Sequence, residues 1–193
     1  MKILFLPPLC LLLIQCTPND ESPTGTNDSQ SAFMNHIRAY CGGAFHGKTQ
    51  FITLGDGDHP LQDPELVMIF KECRDDVIRI AFHVDDDQSR TWVLSKHGHG
   101  LHLAHDHRNP DGSEQDDNMY GGWANDDGND TIRFFPADPE TIENRPARAA
   151  NRWSMEINPQ SDEFIYSLFL NDELAYRAVF DLSSQARRRN NPH

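Results

Sequence analysis

From Ala44 onward the chain alternates between apolar and polar positions. Val77–Val84 places Ile78, Ile80 and Phe82 on one side and Val77, Arg79, Ala81 and His83 on the other, which is the period of a β-strand. Trp153, Met155 and Ile157 alternate with Arg152, Ser154, Glu156 and Asn158. Phe164, Tyr166, Leu168 and Leu170 follow the same rule, and after a tight Asn171-Asp172 turn so does Leu174–Leu182. Ala44–Thr53, Leu66–Cys73, Arg90–Ser95, Leu101–Arg108 and Thr131–Phe135 complete a set of about eight or nine strands joined by short turns rich in Gly, Asp and Asn. Before them Phe33, Ile37 and Tyr40 fall on one helical stripe, with Ser31 as the expected N-cap and Gly42-Gly43 as the stop.

The pattern therefore predicts an all-β domain: an antiparallel meander after one short N-terminal helix. Closing such a meander into a barrel removes its exposed edges, and a β-sandwich is the alternative. The longest polar excursion, Asn109–Asp130, is read as a loop broken by Met119-Tyr120-Gly121-Gly122-Trp123. Asp138–Ala150, with Pro139 and Pro146, is a loop or a short helix.

The strand Leu101–Arg108 carries the candidate chemistry. Alternation puts Leu101, Leu103, His105 and His107 on one face and His102, Ala104, Asp106 and Arg108 on the other. Two imidazoles at the end of an apolar face need partners or a task. One reading makes His105 and His107 ligands of a divalent metal, with His83, Glu114, Asp116 or Asp117 as the third ligand. The other pairs them with acids or carbonyls that hold the barrel mouth. His97, His99 and His102 are read as exposed residues around a turn. Arg79 and Arg90 are candidate donors to an anionic ligand, with Trp92, Tyr120 and Trp153 as stacking walls. No Gly-x-Ser-x-Gly, Walker or His-Glu-x-x-His pattern is present in the chain.

Charge and cysteines set the compartment. The 193 residues include 30 acidic against 17 basic ones, a formal charge of -13. Such a field repels nucleic acid and anionic membrane surfaces. Lys2 followed by the apolar run Ile3–Ile14 is shorter than the about 20 residues of a bilayer span and reads as a secretory signal. Of four cysteines, Cys10 lies in that signal, and Cys41 with Cys73 is expected to form a disulfide worth roughly 3 kcal/mol. The expected organisation is a signal at 1–15, a flexible tether at 16–30, the barrel domain at 31–185 and a disordered tail at 186–193.

Leu13-Ile14-Gln15-Cys16 resembles the lipobox of bacterial lipoproteins, with Gln15 where those proteins carry a small residue. The resemblance implies lipidation at Cys16 and a membrane-anchored protein in the periplasm or at the cell surface, with soluble secretion as the alternative. Lipid at Cys16 is then the chain's one link to a membrane. A helix leading into a Gly-flanked first strand resembles calycins in topology, although Gly43-Ala44-Phe45 stands where lipocalins carry Gly-x-Trp. Tyr40-Cys41-Gly42, Arg79-Ile80-Ala81-Phe82-His83-Val84, Ser89-Arg90-Thr91-Trp92, His105-Asp106-His107-Arg108, Tyr120-Gly121-Gly122 and Phe135-Pro136-Ala137-Asp138 resemble secreted bacterial proteins without an assigned activity. The resulting expectation is an exported module that binds a small molecule or a protein partner. The alternative is a metal-assisted or acid–base enzyme built on His105 and His107.

Overall fold

The computed structural model describes residues 24–186. One helix, α1 (Thr24–Arg38), precedes ten strands. These are β1 (Ala44–Ile52), β2 (Leu66–Cys73), β3 (Val77–Val84), β4 (Asp87–His97), β5 (Gly100–His107), β6 (Tyr120–Trp123), β7 (Ile132–Pro136), β8 (Asn151–Asn158), β9 (Glu163–Leu170) and β10 (Glu173–Asp181). A six-residue helix, α2 (Pro139–Asn144), and a 3-10 turn at Pro146–Arg148 lie between β7 and β8. The strands form one antiparallel sheet in the order β6-β5-β4-β3-β2-β1-β10-β9-β8-β7. Its two edges come back beside each other, so the sheet is a nearly closed barrel rather than a sandwich.

Hairpin chemistry explains much of this order. Asn171 and Asp172 both take positive φ, 51° and 66°, the conformation that a two-residue hairpin between right-twisted strands demands. Asn and Asp tolerate it better than branched residues do. The interior is then filled by the faces that alternation assigned: Ile78, Ile80, Phe82, Leu101, Leu103, Met155, Ile157, Phe164, Tyr176 and Phe180 are all buried in one cluster.

The strand that the pattern did not resolve is β6. It closes the barrel. Asp138 N donates to Gly121 O at 3.1 Å, Asn125 N donates to Phe134 O at 3.0 Å, and the Thr141 hydroxyl both accepts from Gly121 N and donates to Gly121 O. Backbones approach closely on both sides here. A Cβ on Gly121 would stand 1.8 Å from Leu103 O, and one on Gly122 would stand 1.8 Å from Pro136 O. Only glycine fits either position.

Helix α1 closes one end of the barrel. Phe33, Met34 and Ile37 are fully buried, and Gln30 extends their stripe by one turn to lie against Gly100. Lys96 Nζ donates to Ser31 Oγ at 2.6 Å, and Arg38 donates to the carbonyls of Arg74 and Asp75. The Cys41–Cys73 disulfide ties the segment after the helix to the end of β2. The helix starts at Thr24, not at Ser31. The last part of the expected tether is thus helical, and Ser31 sits inside the helix rather than capping it. At the other terminus Ala186 is buried and its N–H donates to Ala44 O at 2.6 Å. Lipidation at Cys16, the signal segment and the basic run Arg187–Arg189 lie outside the described residues.

Candidate functional site

The end opposite α1 holds a cavity of about 310 Å³. Its floor and walls come from inward positions near the ends of β3, β4, β5, β8, β9 and β10: Phe82, Trp92, His105, Trp153, Tyr166 and Tyr176. The β1–β2 connection brings Leu54, His59, Pro60 and Leu61 over it, and Arg90, His107, Tyr120 and Arg148 reach it from the rim. The segment over the mouth is held in place. Thr49 Oγ1 donates to Leu61 O at 2.7 Å, and Leu61 N donates to His59 Nδ1 at 3.2 Å.

His105 is buried and fully wired. Its Nδ1 faces the Tyr120 carbonyl at 3.1 Å and must donate there, which leaves Nε2 to accept from the Tyr166 hydroxyl at 2.8 Å. The ring stacks on Tyr120 with centroids 4.7 Å apart. Burial pulls its pKa down to about 3, against a smaller opposing effect of the Tyr120 carbonyl. The same burial pushes Tyr166 well above the usual tyrosine value. This imidazole is neutral at physiological pH, and both of its nitrogens are occupied.

His107 is different. It is half-buried, and its Nε2 lies 3.1 Å from the Tyr120 hydroxyl. Desolvation first, and then the charge of Arg90, lower its pKa. Arg148 lies 3.7 Å above the Tyr120 ring as a cation–π contact and pairs with Asp117. Arg90 pairs with Asp87. Each pair occupies one terminal nitrogen, Nη1 of Arg90 and Nη2 of Arg148. Both guanidiniums act electrostatically on His107 and on Tyr120.

The expected residues fall into two groups. His105, His107, Arg90, Trp92, Tyr120 and Trp153 meet at one cavity. Arg79 does not: it shares the outer face of β3 and pairs with Glu72 at 3.2 Å and Asp106 at 3.4 Å. Ile78, Ile80 and Phe82 take the interior, and the arginine goes to the side where carboxylates can reach it. His83 lies on that outer face too, opposite Val67, and Glu114 pairs with Arg108, so neither approaches the β5 pair. Asp116 lines an outer groove, and Asp117 is held by Arg145 and Arg148. Both His105 nitrogens are engaged, one at the Tyr120 carbonyl and one at the Tyr166 hydroxyl. Among the described residues no three His, Cys, Asp or Glu side chains group as metal ligands.

His102 also departs from its expected place in an exposed turn. Its Nε2 lies 2.8 Å from the Asp138 carboxylate, at the edge of a shallow acidic groove of about 630 Å³ on the outer wall. His97 and His99 are exposed and pack around Trp123. Arg148, Tyr166 and Tyr176 are cavity residues that the sequence pattern did not single out. Tyr166 and Tyr176 read as ordinary core positions, and the one available signal was a hydroxyl among otherwise apolar inward residues.

The chain matches no protein-family model, no curated protein and no solved structure at a significant level.

Proposed function

We propose that the domain is an exported binding module whose small-molecule ligand occupies the open end of the barrel. One observation carries this reading: a barrel plugged by a helix at one end holds, at the other, an aromatic cavity whose polar groups are pre-positioned by hydrogen bonds. Ligand sites are typically largely preformed, mainly apolar, and supplied with a few fixed polar groups. The tyrosine and histidine groups here meet that description. The Cys41–Cys73 disulfide supports an oxidising compartment. Lipid on Cys16 remains the proposed link to a membrane.

A screen of small molecules by thermal shift tests the reading, with emission of Trp92 and Trp153 as the second signal. Saturable stabilisation is expected in the native protein and not in Leu168→Trp, which adds bulk at a β9 residue of the cavity wall. If no compound distinguishes the two proteins, the module does not bind there. An acid–base enzyme is the second reading, favoured by the contact of the Tyr120 hydroxyl with a neutral His107. It requires turnover that Tyr120→Phe abolishes.

A further inference from the structure

Two guanidiniums frame the mouth of a chain whose overall charge is -13. Their carboxylate partners, Asp87 and Asp117, are 42% and 52% exposed, whereas Arg90 and Arg148 are 26% and 27% exposed. The acids therefore stand outward while the cations line the cavity. Nε and the second terminal nitrogen of each arginine are outside these ion pairs. Beside them stand the imidazole of His107 and the hydroxyl of Tyr120. Among the described residues no carboxylate lines the cavity itself. An anionic group placed at the rim meets the guanidiniums of Arg90 and Arg148.

Behind this polar rim the walls are ring faces. Trp92 stacks on Phe82, at 4.6 Å, and on Tyr166, at 4.4 Å, and those two rings are 6.5 Å apart. Trp153 lies against both His105 and Tyr120. At about 310 Å³ the space is at the small end of the range for ligand cavities. It suits one ring rather than a long acyl chain or a fused polycycle.

On the reading that the cavity is a binding site, we propose that its ligand is a small monoaromatic carboxylate. The carboxylate lies between Arg90 and Arg148, and the ring enters the slot bounded by Trp92, Trp153 and Tyr166. Bidentate pairing of guanidinium with carboxylate supplies both strength and orientation. The aromatic walls add stacking that an aliphatic acid cannot match.

Calorimetric titration of the full folded domain with phenylacetate, phenylacetamide and hexanoate tests the assignment. Phenylacetate should bind at least about tenfold more tightly than its neutral amide, the difference expected for one charge-assisted hydrogen bond. It should also bind more tightly than hexanoate. Arg90→Gln, at the rim, should weaken phenylacetate by about tenfold and phenylacetamide by less. Arg148→Lys, which keeps the charge and loses the fork, should weaken it less than Arg148→Gln. Equal affinity for acid and amide, equal affinity for phenylacetate and hexanoate, or no binding of phenylacetate each overturns the assignment. The broader binding reading survives those results if the small-molecule screen still separates the native protein from Leu168→Trp.

Discussion

The two ends of the barrel bury polar groups in opposite ways. At the open end His105, Tyr166 and Tyr120 satisfy one another through hydrogen bonds of 2.8 and 3.1 Å. Toward the helix end Arg133 points inward beside Phe135 and is 0% exposed. Yet no group among the described residues lies within hydrogen-bond reach of its guanidinium. Asp126 and Asp130 act on it only through their charge, and burial lowers its pKa. Burial alone therefore does not mark a site. A wired polar cluster beside an opening can receive a ligand, whereas an unwired cation beneath a plug is a standing cost to the fold.

That contrast can be broken by mutation. Phe33→Ala, in the plug, should destabilise the domain by about 3–5 kcal/mol in denaturant titrations. Phenylacetate affinity of the folded fraction should not change, since Phe33 does not line the cavity. A loss of binding in proportion to stability would mean that the two ends are coupled.

The next largest effect is the acid limb of stability. The unfolded His105 ring protonates near pH 6.5, whereas the folded one waits until about pH 3. As pH falls from 6.5 to 3 the unfolded state takes up a proton that the native state refuses, so stability drains away across that window. At about 1.4 kcal/mol for each tenfold change in proton affinity, this amounts to on the order of 5 kcal/mol. Above pH 6.5 the ring contributes no pH dependence. His105→Gln should flatten this limb in urea titrations at stepped pH, and an unchanged limb would show that the acid sensitivity lies elsewhere.

Arg133→Met should act in the opposite direction and raise stability by about 1–3 kcal/mol, because it replaces an unpaired buried cation with apolar volume. Thermal denaturation reads this directly, and a lower Tm would mean that the guanidinium has a partner after all. The smallest expected effect is at His107. Burial and the charge of Arg90 lower its pKa, but it stays partly accessible, so acid adds positive charge at the mouth only below the ordinary histidine range. Phenylacetate should bind more tightly as pH is lowered toward 5, while its own carboxyl stays mostly ionised, and His107→Gln should remove any such gain.

The fold was legible wherever alternation ran for five residues or more. Ile78, Ile80 and Phe82 set the phase of β3. That phase alone left Arg79 as either an outward residue or a ligand donor, and its pairing with Glu72 and Asp106 places it outside. Leu101 and Leu103 set β5, and both histidines follow them inward. β6 was not legible: four residues with two central glycines carry no period, and their role depends on Leu103 and Pro136, far away in sequence. Arg148 was hidden for a related reason. It sits in a proline-bearing segment where neither helical nor strand spacing applies, and only folding of that segment beside β6 brings it over Tyr120. Hydrophobic pattern reports which way a side chain faces. It does not report which loop cation will meet it.

The glycine pair at the barrel's closing seam has a consequence for motion. Most of the sheet is laced by strands of eight to eleven residues, whereas the seam joins one of four to one of five. A cylinder laced unevenly opens along its shortest lacing. Amide hydrogens of Gly121, Asn125 and Asp138 should then exchange with deuterium ahead of those of β3, β4 and β9. Because Tyr120 is the first residue of that short strand, each such opening also swings one wall of the chamber outward. On the proposed binding reading, such an opening would give cargo a second way in, along the side of the barrel.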